Sequence, residues 1–172
     1  METKSEELVS QTFTPMELQL AGNSASDCSC ESTVLIVDDN MFNLIPLELI
    51  LKEMFQITVD RALNGQEALS MFQKNIMKKC CSLRYKLILM DLNMPVMDGY
   101  EATEKILRQF KIMCPEERYP NGDKLFVVAI TAFVNDENIR NCYKVGMVEV
   151  LHKPVNCEAL GNVIDTYYHY KR

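Results

Sequence analysis

Three short, unbroken apolar runs constrain this chain more than any other feature: Val34-Leu35-Ile36-Val37, Leu87-Ile88-Leu89-Met90 and Phe126-Val127-Val128-Ala129-Ile130. None alternates with polar residues, so each reads as a strand covered on both faces. Ile57-Thr58-Val59 and Val148-Glu149-Val150-Leu151 are two further strand patterns. Between the strands, apolar residues recur at helical spacing. Leu47, Ile50, Leu51 and Met54 mark a first helix, and Ala68, Leu69 and Phe72 a second, with Asn64 as its N-cap. A loop with Pro95 and Gly99 leads to a third helix carrying Ala102, Ile106, Leu107 and Phe110. Ile139, Cys142 and Val145 mark a fourth, closed by Gly146, and Leu160, Val163, Ile164, Tyr167 and Tyr168 a fifth. Pro120-Asn121-Gly122 reads as a turn in a polar loop. This alternation predicts one α/β domain: a doubly wound, five-stranded parallel sheet with helices on both faces, no internal repeat and no second domain.

Residues 1–32 have a different texture, polar and rich in Ser, Thr and Glu, and read as a flexible tail ahead of a domain spanning 33–172. The hydrophobic fraction of 48% is ordinary for a globular chain, enough for a sizeable core. No apolar run approaches the roughly 18 residues needed to cross a bilayer, and METKSEELVS has no apolar signal core. A net charge of -6, with no Lys/Arg run longer than two, argues against a nucleic-acid partner. The seven cysteines form no CxxC pair, and Cys28-x-Cys30 with two scattered histidines does not make a zinc site. Reduced thiols and a cytoplasmic location are expected.

The unusual polar residues fall at the carboxyl ends of the apolar runs. Asp38 and Asp39 follow the first strand, Asp91 ends the third, Thr131 follows the fourth and Lys153 the fifth. In open α/β sheets that edge is where ligands bind. Three converging carboxylates repel one another, and Mg²⁺, a hard cation that takes oxygen ligands, relieves the conflict. Lys153 and the Thr131 hydroxyl suit an incoming tetrahedral oxyanion, and a carboxylate beside them can act as a nucleophile to form an aspartyl-phosphate. Each group also has an ordinary reading: Asp38-Asp39 as a capping pair, Thr131 as a strand-end hydroxyl, Lys153 as a solvated loop lysine, Asp98-Gly99 as turn and cap. Their joint placement at four strand ends favours the functional reading.

The segments VLIVDDN, LILMDLNMPVMDGYEA, VVAITA and LHKPV resemble, in order and spacing, the receiver domain of two-component phosphorelay response regulators. The resemblance spans about Thr33 to Tyr170, and the VDDNxxN and NGQEAL wording is most similar to receivers of hybrid sensor histidine kinases. It implies the flavodoxin-like strand order 2-1-3-4-5. It also implies Asp91 as phosphoacceptor, Asp39 as direct Mg²⁺ ligand, Asp38 acting mainly through water, and Asn93 offering its backbone carbonyl to the metal. Thr131 then matches the hydroxyl that meets the phosphoryl group, and Lys153 the salt-bridge lysine. The implied donor is a histidine kinase or a histidine phosphotransfer protein, and the implied output is a switched protein-binding face.

Two positions depart from the family pattern. Val150 stands where many receivers carry an aromatic switch residue, and Pro46 lies just past the first turn of the first helix, predicting a kink or a late start. The leading function is Mg²⁺-dependent phosphoacceptor signalling at Asp91. The alternatives are a degenerate receiver acting only as an interaction module, for which Val150 speaks, and a phosphatase, for which Asn93 is the wrong residue because a second Asp would be needed. The chain has no Gly-rich nucleotide loop and reads as no stand-alone kinase. His152 reads as a strand-end residue. Whether the unit is free-standing or part of a hybrid kinase stays open. Asn93 and Phe133 flank the approach to the phosphoryl group, and bulky Phe133 is expected to slow hydrolysis.

Overall fold

The computed structural model describes residues 32–78, 84–113 and 124–169. Residues 1–31, with Cys28 and Cys30, where a tail is expected, and Pro120-Asn121-Gly122, where a turn is expected, lie outside the described residues. The strands are β1 (Val34–Val37), β2 (Val59–Ala62), β3 (Leu87–Asp91), β4 (Phe126–Thr131) and β5 (Glu149–His152). The helices are α1 (Met41–Phe55), α2 (Gly65–Met77), α3 (Gly99–Met113), α4 (Asp136–Lys144) and α5 (Cys157–Val163), the last running on into a π turn at Ile164–Tyr168. All strand pairs are parallel, in the order β2-β1-β3-β4-β5.

The pleat divides the core in two, because successive strand residues point to opposite faces. Leu35, Val37, Ile88 and Met90 pack with Ala68 and Phe72 of α2 and Ala102 and Ile106 of α3. Val34, Ile36, Leu87 and Leu89 pack with Leu44, Leu47 and Leu51 of α1 and Leu160 of α5. Both faces of the central strands are therefore apolar, as their unbroken runs require. Each helix starts on a short polar cap: Asn40, Asn64, Asp98, Asn135 and Asn156 accept backbone N–H groups of their first turns.

Three expectations are corrected. Strand β2 begins at Val59, because Ile57 belongs to the end of α1: Gln56 takes a left-handed φ of 56° and the Ile57 N–H donates to the Leu51 carbonyl at 3.0 Å. Buried Ile57 is the apolar residue that accompanies such a cap, which made it look like a strand residue. Met54 faces outward and Leu44 takes the inward place. Pro46 does not delay the helix. Asn40 sets its start at Met41, and α1 runs through Pro46, which sits on the exposed side.

Candidate functional site

The four strand ends meet at the carboxyl edge. Asp38 follows β1, Asp91 closes β3, Thr131 closes β4 and Lys153 follows β5. Adjacency of these four strands brings together groups far apart in the chain. Lys153 Nζ lies 2.6 Å from Asp38 Oδ2 and 3.0 Å from Asp91 Oδ2, bridging the two carboxylates. Its backbone N–H donates to the Thr131 carbonyl at 2.8 Å, which sets where the lysine stem begins. Asp38 and Asp91 are buried and Asp39 is exposed, yet ligand oxygens of all three lie within 4.8 Å of one another.

Burial pushes the Asp91 carboxyl above its ordinary value. The hydrogen bond and charge of Lys153 pull it back, the Asp38 charge adds to the rise, and a backbone hydrogen bond from Asn93 lowers it. Burial pushes Lys153 down, but its bonds to Asp38 and Asp91 and their charges outweigh this, so it is raised overall and stays protonated. Three carboxylates against one ammonium leave two negative charges without a partner in the cluster. Hard oxygen donors with that charge fit a divalent cation.

Thr131 is buried at the end of β4, and its Oγ1 accepts the Phe133 N–H at 3.2 Å. Phe133 itself is 68% exposed beside this edge. Asp98 and His152 stay outside the cluster: Asp98 caps α3, accepting the Glu101 N–H at 2.8 Å, and His152 is an exposed end of β5. Val150 is half-buried against the core on the α2–α3–α4 side. A cavity of about 160 Å³ opens between α1 and the β5–α5 connection, with Asp38, Asn43 and Lys153 at its polar edge and Phe42, Pro46 and Ile130 among its apolar walls.

Sequence reasoning noticed Asn43 only as part of a motif. Its Nδ2 group donates to both Asp38 oxygens, at 2.9 and 3.1 Å. The available signal was its place in the third position of a helix whose cap follows the acidic pair. The raised Tyr100 hydroxyl of α3, pushed up by burial with a smaller contribution from the Cys142 thiol of α4, had no sequence signal.

A doubly wound sheet carrying a carboxylate cluster and a bridging lysine at its carboxyl edge defines a small class of domains. The family model for the response regulator receiver domain matches residues 34–165. The chain belongs to that family, and so to the two-component phosphorelay class. Hybrid signal transduction histidine kinase B of Dictyostelium discoideum is 36% identical over 125 residues, covering 71% of this chain and 6% of that protein. The receiver domain of Saccharomyces cerevisiae Ssk1, solved with the histidine phosphotransfer protein Ypd1, is 31% identical with a TM-score of 0.66, covering 80% of this chain and 88% of that one. The receiver domain of the Arabidopsis thaliana histidine kinase CKI1, solved as a mutant, is 30% identical with a TM-score of 0.63, covering 77% and 86%. The chain spans 6 to 16% of the length of the curated relatives it matches. Among the described residues, no helix is long and apolar enough to cross a membrane.

Proposed function

We propose that this domain, spanning residues 33–172, takes a phosphoryl group onto Asp91 from a phosphohistidine of a histidine kinase or histidine phosphotransfer protein. The observation that carries the reading is Lys153, held between Asp38 and Asp91 with the Asp39 carboxylate alongside. An Asp91 carboxylate oxygen attacks phosphorus, the phosphorus–nitrogen bond breaks, and the partner's imidazole leaves with its electron pair and takes up a proton. Lys153 and the Thr131 hydroxyl receive the phosphoryl oxygens. Asp38, Asp39, Asp91 and the Asn93 carbonyl would hold Mg²⁺, which supplies charge neutralisation for the carboxylates and the phosphoryl group. Water later attacks the phosphoaspartate and releases phosphate. The partner's approach is served by α1, where Phe42, Ile45 and Leu49 stand exposed in an apolar stripe that begins beside Asp38.

Intact mass after incubation with acetyl phosphate tests the reading, with and without Mg²⁺, on the wild type and Asp91→Asn. The expected result is a Mg²⁺-dependent gain of one phosphoryl group that the variant lacks. No gain in folded, Mg²⁺-saturated wild type would overturn it in favour of an interaction-only module, and the half-buried Val150 would become the residue to explain.

A further inference from the structure

Asn43 is neither acid, hydroxyl nor ammonium, yet it donates to both oxygens of Asp38 where Lys153 reaches one. An ionised carboxylate offers about four lone-pair positions. Asp38 Oδ1 accepts the Asn40 N–H and the Asn43 Nδ2 group, both at 2.9 Å. Its Oδ2 accepts Asn43 Nδ2 at 3.1 Å and Lys153 Nζ at 2.6 Å. Protein donors thus occupy both oxygens of Asp38. A cation could take an Asp38 oxygen only by displacing one of them, whereas Asp39 is exposed. The amide cannot turn over, because its own oxygen would then face a carboxylate. Its short side chain springs from the first turn of α1, which Asn40 pins in place by accepting the Phe42 N–H at 3.0 Å.

We infer that Asn43 is a positioning residue: it holds the Asp38 carboxylate on Lys153 and off the cation. The division that the resemblance implies, with Asp39 as the direct Mg²⁺ ligand and Asp38 acting through water, would rest on this hold. The inference deepens the function proposed above and rests on its Mg²⁺-dependent reading. Partners that orient metal-site groups in this way change activity by about 10- to 100-fold when removed.

The test compares the wild type with Asn43→Ala by calorimetric Mg²⁺ titration and by the rate of acetyl-phosphate phosphorylation at saturating Mg²⁺. It also follows the Asn43 side-chain amide by NMR in the wild type. Asn43→Ala should bind Mg²⁺ at least as tightly as the wild type, since an Asp38 oxygen is freed for the metal. Its phosphorylation should nevertheless slow about 10- to 100-fold. The wild-type amide signal should keep its hydrogen-bonded position when Mg²⁺ is saturating. A variant that loses Mg²⁺ affinity in step with rate, a variant with unaltered rate, or an amide signal that moves to the free position on adding Mg²⁺ would each overturn the inference. If the variant does not fold, the wild-type amide signal decides. A wild type that binds Mg²⁺ but takes up no phosphoryl group would count against the phosphoacceptor reading, while the amide signal and the Mg²⁺ affinities still decide the role of Asn43.

Discussion

Gly99 is packed against the backbone of Asp91 so closely that a β-carbon on it would overlap the Asp91 carbonyl oxygen and come within 3.0 Å of the Asp91 carbonyl carbon and the Leu92 Cα. The Gly99 N–H also donates to the Leu92 carbonyl at 3.0 Å. The start of α3 is therefore seated on the residue proposed to accept phosphate. Backbone cannot give way as the end of a flexible side chain can. Gly99→Ala should lower stability by about 2–3 kcal/mol, in the range for overpacking, and slow phosphorylation together with it. Gly161→Ala is the contrast. The β-carbon added within α5 would lie 3.7 Å from Phe55 of α1, an ordinary contact, and stability should rise by about 0.5–1 kcal/mol. Urea unfolding of both variants checks the pair. Equal effects would show that the space around Gly99 relaxes more easily than its geometry implies.

Val96 carries a positive φ of 72°, and the Met97 N–H donates across it to the Pro95 carbonyl at 2.8 Å. A β-branched residue in that region is strained by about 1–3 kcal/mol, and glycine relieves it at an entropic cost of about 0.5–1 kcal/mol. The side chain is 83% exposed, so little packing is lost. Val96→Gly should accordingly stabilise the domain by about 1 kcal/mol. A lower urea midpoint for the variant would contradict this.

Phe133 lies two residues beyond Thr131, its N–H bonded to the Thr131 Oγ1 at 3.2 Å and its side chain exposed. We expect its bulky apolar ring to obstruct a water attacking the proposed phosphoaspartate. Phosphoaspartate should decay severalfold faster in Phe133→Ala, followed by intact mass after the donor is removed. Unchanged or slower decay rules the ring out as the obstruction.

Tyr100 is pushed up to about 12 by burial of its hydroxyl, with smaller contributions from the Cys142 thiol and nearby acids. An unfolded tyrosine ionises near 10, so the folded state retains the proton longer. The linked stability is fully present below pH about 10 and is lost as pH rises through about 12. In an alkaline titration read by tyrosinate absorbance, the highest-pH step should vanish in Tyr100→Phe. The variant should also lose less stability across that window. A wild-type titration complete near pH 10 would refute the shift.

The sheet was legible because its signal is local. An unbroken apolar run such as Leu87 to Met90 states by itself that both faces of a strand are covered, and the helical spacing of Ala68, Leu69 and Phe72 states which side faces in. The strand-end groups Asp38, Asp91, Thr131 and Lys153 were legible for the same reason, since each sits at a visible boundary between an apolar run and a polar loop. What the sequence left undetermined depends on groups brought from elsewhere. Ile57 and Val59 look alike in the chain, and only the left-handed turn at Gln56 assigns one to a helix cap and the other to a strand. Asp38 and Asp39 are identical neighbours, yet one is buried under Asn43 and Lys153 while the other faces solvent. Periodicity is carried by adjacent residues and can be read from them. Which carboxylate is saturated with donors depends on where β5 delivers Lys153 and how α1 leans over β1, and packing alone decides that.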